Sequence, residues 1–230
     1  MTRKLRLLAF HSFRTSANIF QQQVRKNCAL ALSTFMLRAG LDKALDDLIE
    51  VVYIDAPNPA SGPIPDDVLP FFQGPYYEWW NVTPTATSMV LKYADESFAL
   101  AAKVLKDRGP FDGVMGFSQG GAMATLTVGL QRLGTHFQDV PPLRFCMCFA
   151  GVRVRMRELD HVYATLADLP AVHIIGDRDP VKNMTNYLIE AFKNPVVINH
   201  TRSHVVPPLK GNDLERLRTF LQAQMQTSSL

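Results

Sequence analysis

The chain has 230 residues, 47% of them hydrophobic and 20% charged, a size at which one hydrophobic core can serve the whole chain without disulfide or metal staples. That composition excludes a disordered chain, a collagen-like repeat and a stapled mini-protein. The 24 basic and 21 acidic side chains leave a formal charge of +3. They are spread without long runs, so neither nucleic acid nor an anionic membrane surface is the expected partner.

The start, Met1-Thr2-Arg3-Lys4-Leu5, is basic, but the apolar stretch Leu7 to Phe10 is too short for a signal peptide, and no run approaches membrane-spanning length. Three cysteines, Cys28, Cys146 and Cys148, form an odd and sparse set. Reduced, buried thiols and a cytoplasmic location without a stable membrane anchor are therefore expected.

In chain order, short apolar runs bounded by turn residues alternate with stretches of helical period. The expected strands are Leu5–Phe10, Glu50–Ile54, Gly113–Phe117, Phe145–Ala150, Ala171–Ile175 and Val196–His200. Between them, Phe20, Val24, Cys28, Ala31 and Phe35 draw one helix face that Gly40 ends. Leu91, Ala94, Phe98, Ala101 and Leu105 draw another, ended by Gly109-Pro110, and Asp213 can cap a last helix carrying Leu214, Leu217 and Leu221. This rhythm predicts an α/β fold with a mostly parallel central sheet and helices on both faces, using residues 1–230 as a single domain. Residues 56–86 break the rhythm. They are rich in proline and hold Phe71, Phe72, Tyr76, Tyr77, Trp79 and Trp80, which suits either a lid or pocket wall or an ordered cover on a sheet edge.

The chemistry centres on Gly116-Phe117-Ser118-Gln119-Gly120. The motif follows a strand and opens a helical stretch (Ala122, Met123, Leu126, Leu130) that Gly134 ends, the setting of a nucleophile elbow. A serine hydroxyl needs a base within reach and an acid to orient that base. In hydrolases of this topology both lie downstream, in the order acid then histidine. After the fifth strand comes Gly176-Asp177-Arg178-Asp179-Pro180-Val181, where Asp179 is the expected acid and Asp177 the alternative. The loop after the last strand holds His204, the expected base, with His200 as the competing histidine. Developing negative charge on the substrate oxygen needs fixed donors. The backbone N–H of Gln119 is one, and Phe13 N–H, in the loop after the first strand, is the other expected. Trp79, Trp80 and Tyr76 are the expected substrate-binding side chains. Arg153, Arg155 and Arg157 read as a solvated face, with steering of an acidic substrate as the alternative. No cofactor or metal is called for.

The chain resembles the FSH family of serine hydrolases, a branch of the α/β-hydrolase fold. The likeness rests on the run Gly109 to Gly120, on Glu78-Trp79-Trp80, on Gly176 to Val181, and on the His204 loop with its trailing prolines. It implies Ser118, Asp179 and His204 as a triad and esterase or thioesterase activity on a small-molecule acyl ester or thioester, often with a long alkyl chain. The family usually has glycine where Ser12 and Ser203 stand. Two other readings are an acyl-protein thioesterase-like depalmitoylating enzyme, suggested by Gly116 to Gly121, and a binding protein that keeps the fold without turnover.

Overall fold

The computed structural model describes residues 3–25, 39–84 and 89–226. Six parallel strands make the central sheet: β1 (Leu5–Phe10), β2 (Ile49–Ile54), β7 (Gly113–Phe117), β8 (Phe145–Phe149), β9 (Ala171–Gly176) and β10 (Val196–His200). Their spatial order is β10-β9-β8-β7-β1-β2. Each expected strand is found to within a residue at either end.

Period-2 alternation feeds two cores. Along β1, Leu5, Leu7 and Ala9 pack into one apolar cluster and Leu8 and Phe10 into the other. Along β8, Phe145, Met147 and Phe149 face one side while Cys146 and Cys148 face the other. Both thiols are free and buried. The hydrogen bond with Cys148, and then burial, push the Cys146 thiol up, which keeps it protonated and inert. Cys28 lies outside the described residues.

The helices cover both faces. Phe20 and Val24 of α1 (Ala17–Val24), Leu41 of α2 (Leu41–Ala44) and Leu217 and Leu221 of α7 (Gly211–Gln226) join the first cluster. The second takes α3 (Ala94–Arg108), α4 (Gln119–Leu133), α5 (Asp160–Ala164) and α6 (Lys182–Ile189), through Ala101, Leu126, Tyr163 and Leu188 among others. The helix face expected through Cys28, Ala31 and Phe35 falls outside the described residues. Gly134, at φ 79°, ends α4 as expected, its N–H turned back on the last helical carbonyls. Asp213 sits inside the first turn of α7 rather than capping it, since that helix begins at Gly211. There its carboxylate still favours the positive end of the helix dipole.

After β2 the chain leaves the central sheet, and residues 55–84 and 89–93 form short strands of their own. β3 (Asn58–Pro59) pairs with β4 (Tyr77–Glu78), and β5 (Asn81–Pro84) pairs with β6 (Met89–Lys92), both antiparallel. Leu91 therefore belongs to a hairpin and not to the helix its spacing suggested. α3 starts only at Ala94, after Tyr93 turns the chain at φ 75°. Between the ribbons, Val68 N–H and Leu69 N–H donate to Pro65 O, winding a short turn that carries Val68, Phe71 and Phe72. Among the described residues, no helix is long and apolar enough to cross a membrane.

Candidate active site

Ser118 occupies the turn between β7 and α4 at φ 55°, ψ −115°, a region that a side chain enters only under strain of about 1–3 kcal/mol. Close packing enforces it. A Cβ on Gly120 would lie 2.0 Å from Phe10 O, and one on Gly116 would lie 2.1 Å from Gly120 O. Only glycine lets α4 approach β1 so nearly while the turn stays this sharp. The Ser118 N–H donates to Phe149 O at 2.9 Å, fixing the turn to the next strand. The buried helix α4 begins at once and directs its positive end at the serine.

Asp179 and His204 meet across the ends of β9 and β10. The turn after Gly176 brings Asp179 N–H back to Gly176 O, and Asp179 Oδ1 accepts the Val181 N–H at 2.8 Å. Oδ2 faces His204 Nδ1 at 2.8 Å, and the Asp179 side chain has no exposed surface. A carboxylate can only accept here, so Nδ1 carries the proton and Nε2 is left as the basic nitrogen. The Phe117 ring lies against the imidazole with centroids 4.8 Å apart.

The competing residues sit elsewhere. Asp177 is half exposed and pairs with Lys182 at 3.1 Å. His200 is tied to its own loop by the Arg202 N–H at 3.3 Å, and burial lowers its pKa. Ser203 donates to Arg178 O at 3.2 Å, so its hydroxyl binds the acid loop.

Ser118, His204 and Phe13 line one cavity of about 640 Å³, walled by Phe117, Val205 and Val206 and, from the excursion, by Pro65, Val68, Phe71 and Phe72. Among the described residues, Asp67 is the one acidic side chain on this wall, and no lysine or arginine joins it. In the loop after β1, Ser12 O accepts from Thr15 Oγ1 at 2.8 Å and lies 2.7 Å from His11 Nδ1. In a trans peptide the N–H points opposite the carbonyl, so this anchoring turns the Phe13 N–H away from His11 and Thr15. Gln119 is the first residue of α4, where an N–H has no intrahelical partner.

The structure places the expected substrate-binding residues differently. Trp79 and Trp80 are buried and absent from the cavity wall. Trp79 Nε1–H donates to His11 O at 2.9 Å, a buried partner that an indole N–H needs. Tyr76 is half exposed, outside the wall, and donates to Phe72 O at 2.7 Å. The aromatic surface comes instead from Phe71 and Phe72, which the sequence marked only as part of an aromatic segment. Arg153 also departs from a solvated face. Its guanidinium stacks over Tyr187 and Tyr163 and pairs with Asp160 at 2.8 Å, while Arg155 and Arg157 are exposed.

The model of a serine hydrolase family, FSH1, matches residues 1–214. The chain belongs to the FSH1 serine hydrolase family. Among relatives of this FSH1 chain, esterase OVCA2 of Xenopus tropicalis is 28% identical, over 95% of this chain and 94% of that one. A hydrolase of Schizosaccharomyces pombe, C22A12.06c, is 32% identical over 56% of this chain, a match that spans 31% of that longer protein. In fold, the chain is similar to acyl-protein thioesterase 2 of Zea mays, with a TM-score of 0.63 at 19% identity, covering 98% of this chain and 95% of that one. The FSH1 fold is accordingly that of the α/β hydrolases, as its parallel sheet already indicated.

Proposed function

We propose that this chain hydrolyses carboxylic esters or thioesters of medium to long acyl chains, through an acyl-enzyme on Ser118. The observation that carries the reading is the 2.8 Å bond from His204 Nδ1 to buried Asp179, on an imidazole that shares one apolar cavity with Ser118. In the first half-reaction Ser118 Oγ attacks the carbonyl carbon as His204 Nε2 takes its proton. The carbonyl π pair moves onto oxygen, held by the Phe13 and Gln119 N–H groups. The tetrahedral adduct collapses, the C–O or C–S bond to the leaving group breaks, and His204 returns the proton to the departing alcohol or thiol. Water then attacks the acyl-serine by the same route, and the acid leaves with Ser118 restored. Asp179 holds the imidazole in the productive tautomer and stabilises its charged form.

The cavity's size lies within the range of small-molecule sites. Phe71, Phe72, Val68 and Val206 give it an apolar lining suited to an alkyl chain, and Asp67, with no basic lining residue among those described, disfavours a strongly anionic substrate. No metal or cofactor enters this scheme. The test is a chain-length series of paired p-nitrophenyl esters and acyl thioesters. A rise in kcat/KM with chain length supports the acyl groove, and the ratio between paired substrates assigns the leaving group. A flat series contradicts the groove.

A further inference from the structure

Glu78, Trp79 and Trp80 touch both loops that supply the two backbone donors, and they do so through hydrogen bonds of different kinds. The Gln119 side chain is buried and closes on the excursion's backbone: its Oε1 accepts the Trp79 N–H at 3.2 Å and its Nε2 donates to Trp80 O at 2.8 Å. The Trp79 indole N–H crosses to His11 O in the loop after β1 at 2.9 Å. Glu78 Oε2 accepts from Arg14 Nε at 2.8 Å in that same loop, while its Oε1 accepts from Ser61. The neighbouring Tyr77 N–H donates to Thr15 O at 2.7 Å.

We infer that Glu78-Trp79-Trp80 is a positioning bracket that sets the separation of the Phe13 and Gln119 N–H groups, an inference that rests on reading those two groups as the oxyanion donors. Three consecutive residues grip the elbow at Gln119 and the facing loop at His11 and Arg14, so the two donors cannot shift independently. Arg14 shows how tightly the grip is set. It takes φ 50°, stacks its guanidinium on the Phe13 ring at 4.5 Å, and lies where a Cβ on Gly62 would come within 2.4 Å. A buried ion pair adds little net stability over apolar packing and is better suited to fixing a register. Here the register is between the excursion and the residue beside Phe13. Tryptophan at position 79 serves the same end, because its ring packs edge-on to Phe10 at 5.1 Å while its N–H spans to His11 O.

Gln119→Met removes both side-chain hydrogen bonds and keeps the backbone N–H. Glu78→Gln keeps the shape and removes the charge. Each is compared with wild type on a short p-nitrophenyl ester and on an aryl trifluoromethyl ketone, whose adduct with Ser118 carries an oxyanion. The bracket predicts that kcat falls about 10- to 100-fold in Gln119→Met, and less in Glu78→Gln, because ångström-scale misplacement of a donor costs up to about 100-fold. KM should change less than about 3-fold, the pH profile of kcat should stay in place, and ketone affinity should fall in parallel with kcat/KM. A folded Glu78→Gln or Gln119→Met with kcat within 2-fold of wild type, or with a change in KM alone, overturns the bracket. If Gln119→Met does not fold, Glu78→Gln alone decides. A wild type that binds the trifluoromethyl ketone no better than the parent methyl ketone overturns the oxyanion reading itself, whereas strong wild-type binding that both variants retain overturns only the bracket.

Discussion

Arg14 and Glu78 form an ion pair, Nε to Oε2 at 2.8 Å, that joins the loop after β1 to a strand 64 residues further on, with the arginine side chain 9% exposed and the glutamate fully buried. Around it lie Ser61, Pro63 and Gly62, so the aromatic excursion is bolted to the loop rather than draped over it. A charge this deep is tolerated only while its partner is present. Arg14→Met should therefore destabilise the protein by about 3–5 kcal/mol, because it strands the Glu78 carboxylate. The double variant Arg14→Met/Glu78→Met should recover most of that loss in urea unfolding. Additive losses from the two substitutions would show that the pair is not coupled.

The backbone strain at Ser118 predicts a trade between stability and activity. Ser118→Gly relieves a φ of 55° and should raise unfolding stability by about 1 kcal/mol while abolishing turnover. Ser118→Ala keeps the Cβ and the strain, so its stability should stay within about 0.5 kcal/mol of wild type with turnover equally lost. Thermal and urea unfolding of the two variants side by side separate the effects.

The two acids in the loop after β9 should behave oppositely. Asp179→Asn should lower kcat by several orders of magnitude, about 10⁴-fold in comparable triads, since the amide can hold the imidazole in the wrong tautomer. Asp177→Ala removes only a half-exposed contact to Lys182 and should leave kcat within about 3-fold. Comparable losses in both would contradict the assignment of the acid.

Two buried histidines predict a stability that depends on pH. Burial lowers the His11 pKa from 6.5 to about 4, against a smaller opposing effect of its Ser12 hydrogen bond, and burial lowers His173 from 6.5 to about 3. Below pH 6.5 the unfolded chain binds protons that the native state does not. Stability is therefore full above pH 6.5, declines as the pH falls, and stops declining on each histidine's account only below its folded pKa. The expected loss is about 1.4 kcal/mol per pH unit for each histidine across that window. Neither ring nitrogen of His173 has a hydrogen-bond partner among the described residues, and the ring packs against Phe192 at 4.9 Å. His173→Leu should thus stabilise the protein by about 1 kcal/mol at pH 7.5 and roughly halve the decline between pH 6 and 5. Urea unfolding at both pH values checks this, and an unchanged decline would contradict it.

The sheet and the sharp turn at Ser118 were legible because both rest on local signals. A run such as Phe145-Cys146-Met147-Cys148-Phe149 is buried on both faces whichever way it points, and a Gly-rich turn between a strand and a helix admits few conformations. The excursion was less legible. Its composition announced aromatic surface but not which rings line the cavity, a matter decided by long-range partners: Trp79 by His11, Trp80 by Gln119, Glu78 by Arg14. A glutamate directly before two tryptophans was the available signal, since a charge in so apolar a stretch needs a buried partner. Leu91 fitted the helical spacing by coincidence, and only pairing with Val82 across the hairpin showed it to be a strand residue.

The central claim, that Ser118 is a nucleophile activated by His204 and Asp179, is tested most directly by labelling with a fluorophosphonate and locating the adduct by peptide mass. The account predicts stoichiometric labelling of wild type on the peptide containing Ser118, none in Ser118→Ala, and strongly slowed labelling in His204→Ala. A folded wild type that is not labelled, or an adduct on any other residue, would contradict it.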